Sequence, residues 1–380
     1  MKLVFVSASQ VPSDTANSIQ VMKVCQAFAR LGHDVTLLVP DGSGPADEAQ
    51  LRSHYGLQTS FPVEWLPAGS RRAFPARAVR RARALSADLL YAWPVQAAAL
   101  GLFSGLPVLL EMHDLPAGRF GPLWYRLFLV LPGRKRLLPI TAALRRALEV
   151  RHRPALKAGQ VVIAPDGVDV ERYAGLPDPE AARKELGLAP GLTVGCTGHL
   201  YAGRGVELFL DLAAQFPGTN FLWVGGRPAD VEEARQRAAA RRLDRAAFTG
   251  FVPNERIPLY QSAADVLLMP YGRAVTTSSG GNTAEICSPM KMFEYLAAGR
   301  AILTSDLPVL REVLDESRAV FCPPEETEAW SAALGGLIAD PNRRQALARC
   351  AREAAGQYAW EARARRSLEG LEGSYVETTR

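Results

Sequence analysis

The chain has 380 residues, 48% hydrophobic and 22% charged, with a formal net charge of +5. Such a composition excludes a disordered polar chain, and the length exceeds what one hydrophobic core organises, so two domains are expected. Five cysteines lie far apart with no C-x-x-C pair, which argues against a disulfide framework or structural zinc and fits a reducing cytoplasm.

Met1 leads almost directly into Leu3-Val4-Phe5-Val6, too short for a signal h-region, so the first strand is read at the start of the chain. Further continuous apolar runs follow at Val35–Val39, Leu89–Ala92, Val108–Leu110 and Val161–Ile163, as buried parallel strands do. Helical segments such as Ile19–Leu31, stopped by Gly32, separate them. The longest apolar stretch, Pro94 to Leu110, is broken by Gly101, Ser104, Gly105 and Pro107 and reads as helix then strand, not as a membrane span. A turn-rich joint near residue 170 precedes new strands at Thr193–Cys196, Phe221–Val224, Ala247–Thr249, Val266–Met269 and Ala301–Leu303. This alternation predicts an α/β chain of two doubly wound parallel-sheet domains, 1–170 and 171–355, facing across a cleft.

Charge is uneven along the chain. Residues 1–190 carry 23 Lys and Arg against 16 Asp and Glu, whereas residues 191–380 carry 21 against 23. Most of the excess lies in Arg71, Arg72, Arg77, Arg80, Arg81, Arg83 and Arg134-Lys135-Arg136. Either these form a solvated helix face, or they meet an anionic acceptor or lipid surface. No nucleic-acid module accompanies them, so nucleic acid is not an expected partner.

Three strand-end loops carry the chemical signals. Ser288-Pro289-Met290-Lys291 predicts a hydroxyl-capped helix start with proline at its first position, and Gly299 its end. The exposed N–H groups and Lys291 make an anion site, while Glu294, one turn beyond Met290, suits a vicinal diol such as a ribose. Thr197-Gly198-His199-Leu200-Tyr201-Ala202-Gly203-Arg204-Gly205 follows a strand, with glycines that admit a ligand close to the backbone and an arginine able to clamp a diphosphate. In Glu111-Met112-His113-Asp114, His113 stands at the carboxyl end of a strand, where ligands gather in such sheets.

Taken in order along nearly the whole chain, these segments resemble the nucleotide-sugar-dependent retaining glycosyltransferases of family 4, which have the two-domain GT-B fold. The resemblance extends to Leu31-Gly32-His33-Asp34-Val35, Pro165-Asp166-Gly167-Val168-Asp169, Phe248-Thr249-Gly250-Phe251-Val252-Pro253 and Tyr358-Ala359-Trp360-Glu361. It implies that residues 356–380 form a helix crossing back to the first domain. It gives Arg204 and Lys291, in a Ser-Pro-x-Lys variant of the second-domain motif, to the donor diphosphate. It gives Glu294 to the nucleotide ribose and His113 to the space between donor sugar and acceptor. Phe251 and Val252 would lie against the base, with Ser288, Met290, His199 and Gly203 completing the donor set.

Three departures bear on sugar specificity. His199 stands where many members have arginine, which makes one diphosphate contact weaker or pH-dependent. Ile286 stands where many have a further glutamate, with Glu285 one residue away. Asn17-Ser18 replaces a double glycine, and these side chains are acceptor candidates. The resemblance implies transfer of a sugar from a nucleoside diphosphate to an acceptor hydroxyl with retention, without a metal or other cofactor, by a cytoplasmic protein with at most weak peripheral contact at the inner membrane face. A GT-B epimerase or hydrolase, and a non-catalytic nucleotide-sugar-binding protein, are the alternatives.

Overall fold

The computed structural model describes residues 1–42, 44–67, 73–274 and 284–371. The chain divides into two compact units, the first made of Met1–Asp166 with the segment from Trp360 onward, the second of Gly167–Ala359.

In the first unit β1 (Lys2–Val6), β2 (Asp34–Pro40), β3 (Val63–Leu66), β4 (Leu89–Ala92), β5 (Val108–Met112) and β6 (Lys135–Pro139) form a parallel sheet in the order β3-β2-β1-β4-β5-β6. The connecting helices are α1 (Ala16–Arg30), α2 (Glu48–Tyr55), α3 (Phe74–Ala84), α4 (Val95–Phe103) and α5 (Gly121–Val130), and α6 (Ala142–Arg151) follows the last strand. Helices cover both faces of such a sheet, so its central strands read as unbroken apolar runs. Phe5 of β1 stacks on Tyr91 of β4 with ring centroids 4.9 Å apart and meets Phe28 of α1 edge-on at 5.3 Å. Truncating an aromatic packed this way costs about 3–5 kcal/mol.

The second unit repeats the plan. After α7 (Pro179–Glu185), β7 (Thr193–Thr197), β8 (Asn220–Val224), β9 (Ala246–Phe248), β10 (Val266–Met269), β11 (Ala301–Ser305) and β12 (Ala319–Cys322) run parallel in the order β12-β11-β10-β7-β8-β9. Around them lie α8 (Val206–Gln215), α9 (Pro228–Ala240), α10 (Ile257–Ser262), α11 (Met290–Ala298), α12 (Thr327–Ala339) and α13 (Pro341–Ala355). Phe209 of α8 meets Phe221, Trp223 and Phe248 edge-on at 5.2–5.8 Å, which fixes that helix on its sheet. The chain then returns to the first unit as α14 (Trp360–Leu368), where Glu361 pairs with Arg30 of α1 at 2.7 Å.

Strand order reverses between β1 and β4 in one sheet and between β7 and β10 in the other. Loops at the carboxyl ends of those strands are where doubly wound sheets hold ligands.

Three expectations need correcting. Val161–Ile163 is not a strand: only Val161 bridges to Leu137, and β6 takes the sheet's last place. The edge strands β3, β6 and β12, only four or five residues long, escaped the apolar-run reading. Lys135 and Arg136 belong to β6 and are 8% and 6% exposed, so they leave the surface basic patch. Lys135 Nζ donates to the carbonyls of Phe128, Leu129 and Leu131 at 2.6–2.8 Å, filling the role of a C-cap for α5. Arg136 donates to Ser367 of α14 at 2.8 Å. Arg81 is paired with Glu64, and Arg71 and Arg72 lie outside the described residues. Among the described residues no helix is long and apolar enough to cross a membrane.

Candidate active site

The loop after β7 is built for close approach. Gly205 has φ +81°, and a Cβ there would run into the carbonyl oxygen of Pro270, so only glycine fits. Gly272 N donates to Gly203 O at 2.9 Å, which ties the loops after β7 and β10 together at the switch point. Trp223 Nε1 donates to Gly198 O at 2.9 Å and fixes the loop from behind.

Two cations converge there on one ring. Arg204 Cζ lies 4.9 Å from the centroid of Tyr271, with Nη1 donating to the Tyr271 hydroxyl at 2.8 Å, and Lys291 Nζ lies 5.1 Å from the same centroid. Lys291 Nζ and Arg204 Nε are buried nitrogens with no hydrogen-bond partner in the described protein. Donors held in place without protein acceptors suit an anion, and two fixed positive charges suit a diphosphate. Tyr271 was missed by sequence reasoning. Lying just past a strand end with no motif around it, it gave no signal.

The helix bearing Lys291 starts one residue later than predicted: α11 begins at Met290, Pro289 occupies the cap position, and Ser288 is not its N-cap. Gly299 ends it as predicted, with φ +59°. Tyr295 accepts from Thr197 N at 2.8 Å and donates to Leu268 O at 3.2 Å, so α11 is pinned to β7 and β10. Glu294 is oriented from beneath, because the fully buried Gln261 donates Nε2 to Glu294 Oε2 at 2.9 Å and receives the Tyr173 hydroxyl on Oε1 at 2.7 Å. Gln261 and Tyr173 are further residues that sequence reasoning did not find.

Around this centre, the His199 ring stacks on Tyr201 at 4.8 Å, and Arg227 lies over the other member of that pair, 5.3 Å from the Tyr201 centroid. Phe251 is 57% exposed and Val252 half-buried in the loop after β9. Glu285 is exposed and Ile286 half-buried. A cavity of about 520 Å³ adjoins the same glycine loop and includes Gly203, but its charged lining is five acids, Glu207, Asp211, Asp230, Glu233 and Glu325, against one cation, Arg237. That charge opposes a phosphate, and neither Arg204 nor Lys291 lines it.

In the first unit His113 sits past the end of β5 with its side chain 25% exposed. Glu111, two residues earlier and fully buried, approaches His113 Nε2 at 2.6 Å through Oε1, while Arg363 Nη2 of α14 lies 2.8 Å from Oε2. Gln20 donates to Oε1 at 2.5 Å, and Tyr91 donates to Oε2. Burial alone would raise the Glu111 pKa, but Arg363 foremost and then His113 hold it down at about 2. His113 is raised despite burial, because Glu111 favours its charged form. Asp166 is pushed up by burial to about 6. Glu111, His113 and Asp166 bring one ligand atom each within 4.8 Å of one another, but Arg363 already supplies Glu111 with the charge a cation would bring.

The acceptor candidates part ways. Asn17 is exposed, whereas Ser18 is fully buried and spends its hydroxyl on Gln10 O and the Tyr55 hydroxyl, a structural lock.

Two doubly wound parallel sheets, one with a cation pair at its switch point, define a GT-B glycosyltransferase fold. Residues 18–172 match the family model described as Glycosyltransferase Family 4, and residues 191–340 the model described as Glycosyl transferases group 1. Each model matches less than half of the chain, but together they span most of it and support a GT-B glycosyltransferase of the family-4-like group.

Among solved structures, Anabaena HepE in complex with UDP is similar with a TM-score of 0.74 at 19% identity, over 98% of this chain and 100% of that one. A glycosyltransferase from Rickettsia africae is similar with a TM-score of 0.77 at 11% identity, over 100% and 99%. Among curated proteins, a GDP-mannose-dependent alpha-(1-6)-phosphatidylinositol monomannoside mannosyltransferase of Mycolicibacterium smegmatis is 28% identical over 55% of each chain. A 2-deoxystreptamine glucosyltransferase of Streptomyces kanamyceticus is 33% identical over 40% of each. The chain spans about half the length of the curated relatives it matches.

Proposed function

We propose that this protein moves a sugar from a nucleoside-diphosphate sugar to an acceptor hydroxyl with retention of anomeric configuration. The observation that carries the reading is the convergence of Arg204 and Lys291 on the Tyr271 ring, each with a buried nitrogen lacking a protein acceptor. As the diphosphate departs, negative charge grows on its oxygens. Arg204, Lys291 and the N–H groups opening α11 stabilise it without reorganising, which is electrostatic catalysis. Glu294, held by Gln261, accepts the ribose hydroxyls. His199 and Gly203 line the diphosphate loop, and Phe251 and Val252 border the base. In the first unit His113 serves the sugar and acceptor.

The GDP-mannose dependence of one relative and the UDP-glucose bound to HepE support a nucleotide-sugar donor here. The paired cations supply the charge that a metal would otherwise supply, so the reading includes no metal and no other cofactor. Five free cysteines suit a reducing, cytoplasmic setting. Weak peripheral contact with an anionic lipid surface belongs to the same reading through the basic first unit, and it draws support from Phe120 just before α5 and Leu123 and Val130 within it, all about half exposed near the exposed Arg119 and Arg126.

A thermal-shift and calorimetric screen of UDP, GDP and their sugars tests the donor, and NMR of the product's anomeric centre tests retention. Binding of at least one nucleotide sugar that is lost in Arg204→Ala and Lys291→Ala is expected, with turnover insensitive to chelator. Equal binding by wild type and both variants would end the reading. Turnover without an acceptor would turn it toward the epimerase or hydrolase.

A further inference from the structure

The group at the end of β5 is more elaborate than a lone histidine beside a ligand requires. Arg363 is 2% exposed and spends its guanidinium inside the first unit. Nε donates to Pro165 O at 2.8 Å, Nη1 to the Tyr91 hydroxyl at 3.2 Å, and Nη2 to Ala164 O at 3.2 Å as well as pairing with Glu111 at 2.8 Å. A buried carboxylate is costly unless paired, and here the pairing partner comes from the helix that closes the unit. Glu111 in turn engages His113 through Nε2, so Nδ1 is the ring nitrogen left without a protein partner among the described residues.

We propose that Glu111 and Arg363 are positioning residues that hold His113 as a charged hydrogen-bond donor, leaving its Nδ1–H for the substrate. The groups facing the imidazole are Glu111 of β5, Asp166 at the chain crossing and Arg363 of α14, with Tyr91 of β4 and Gln20 of α1 on the far side of Glu111. Two carboxylates outweigh one guanidinium around the ring, which favours the imidazolium. A charged ring cannot take the acceptor's proton. It donates to a substrate oxygen instead, and it loses that ability as pH rises. The identity of the oxygen rests on the glycosyl-transfer reading, whereas the charge state of the ring does not.

The test is a pH titration of the ring nitrogens by NMR on ¹⁵N-histidine-labelled protein. The chain has five histidines, and His113→Gln assigns the signal. His113 is expected to titrate above the ordinary histidine range in wild type. Its midpoint should fall by about a pH unit or more in Glu111→Gln and change little in Arg363→Lys, which keeps the opposing cation. A wild-type midpoint at or below the ordinary range, or an unmoved midpoint in Glu111→Gln, overturns the proposal. The wild-type titration stands as a test even if Glu111→Gln does not fold. In the kinetic arm, kcat should fall as pH rises through the same midpoint, with KM for the donor little changed. A rate that climbs through it would make His113 a base and sink the donor role. A chain that shows the expected titration but transfers no sugar keeps the positioning proposal and loses the glycosyl-transfer reading.

Discussion

Arg204 lies along the face of Tyr271 and donates to that residue's own hydroxyl at 2.8 Å, so one side chain fixes both the place and the roll of the guanidinium. Tyr271→Phe removes the hydrogen bond and keeps the ring, and a three- to tenfold fall in kcat is expected, in line with about 0.5–1.5 kcal/mol for one such bond. Tyr271→Ala removes the platform under Lys291 as well, and its kcat should fall by a further order of magnitude or more. Steady-state kinetics with saturating nucleotide sugar read both. Equal rates for the two variants would mean that the ring does not hold the cations.

Gln261 predicts a different kinetic signature. Gln261→Leu leaves Glu294 without its buried donor and Tyr173 without its acceptor. Leaving the buried Tyr173 hydroxyl without an acceptor costs about 1–3 kcal/mol. The donor KM should rise roughly tenfold, because the ribose contact is a ground-state one, with a smaller change in kcat. A variant with normal donor KM would show that Glu294 needs no orientation.

Asp166 gives a pH prediction with a definite sign. Its pKa is raised from 3.8 to about 6, chiefly by burial. An acid raised on folding adds stability while protonated in both states, below about 3.8, and loses that contribution as pH rises through about 6. Asp166→Asn keeps the neutral form, so its melting temperature should exceed that of wild type above pH 6 and converge with it near pH 4. Melting scans across that range decide it. A difference that does not change with pH would refute the assignment.

Lys135 is expected to matter for stability alone. Lys135→Met strips three hydrogen bonds from the last carbonyls of α5 and should cost about 1–3 kcal/mol, seen as a lower denaturant midpoint. Turnover per folded molecule and co-sedimentation with anionic vesicles should not change. Weaker vesicle binding in the folded variant would return Lys135 to the surface patch. Leu123→Asp on exposed α5 is the complementary variant, and it should weaken vesicle binding.

The parallel-sheet plan was legible because the central strands, buried on both faces, are continuous apolar runs such as Leu3–Val6 and Val266–Met269. β6 was not, since its first two residues are the buried cations Lys135 and Arg136, whose partners are carbonyls that composition does not reveal. The local motif of α11 announced Lys291 and Glu294, yet the cap slipped by one residue because Pro289, and not Ser288, precedes the first helical turn. Glu111 did carry a signal, a carboxylate inside an apolar strand. Its partner Arg363 did not, as one arginine among the several in Trp360–Leu368 cannot be told from its surface neighbours without the fold.

The first unit is assembled from both halves of the sequence, Met1–Asp166 and the segment from Trp360, while the second is one uninterrupted stretch. During synthesis the ribosome therefore delivers every residue of the second unit before α14 emerges. Until that moment the carboxylate of Glu111 lacks its guanidinium and the nascent amino-terminal half lacks a helix to cover α1, so its final consolidation is a late event in the birth of the molecule.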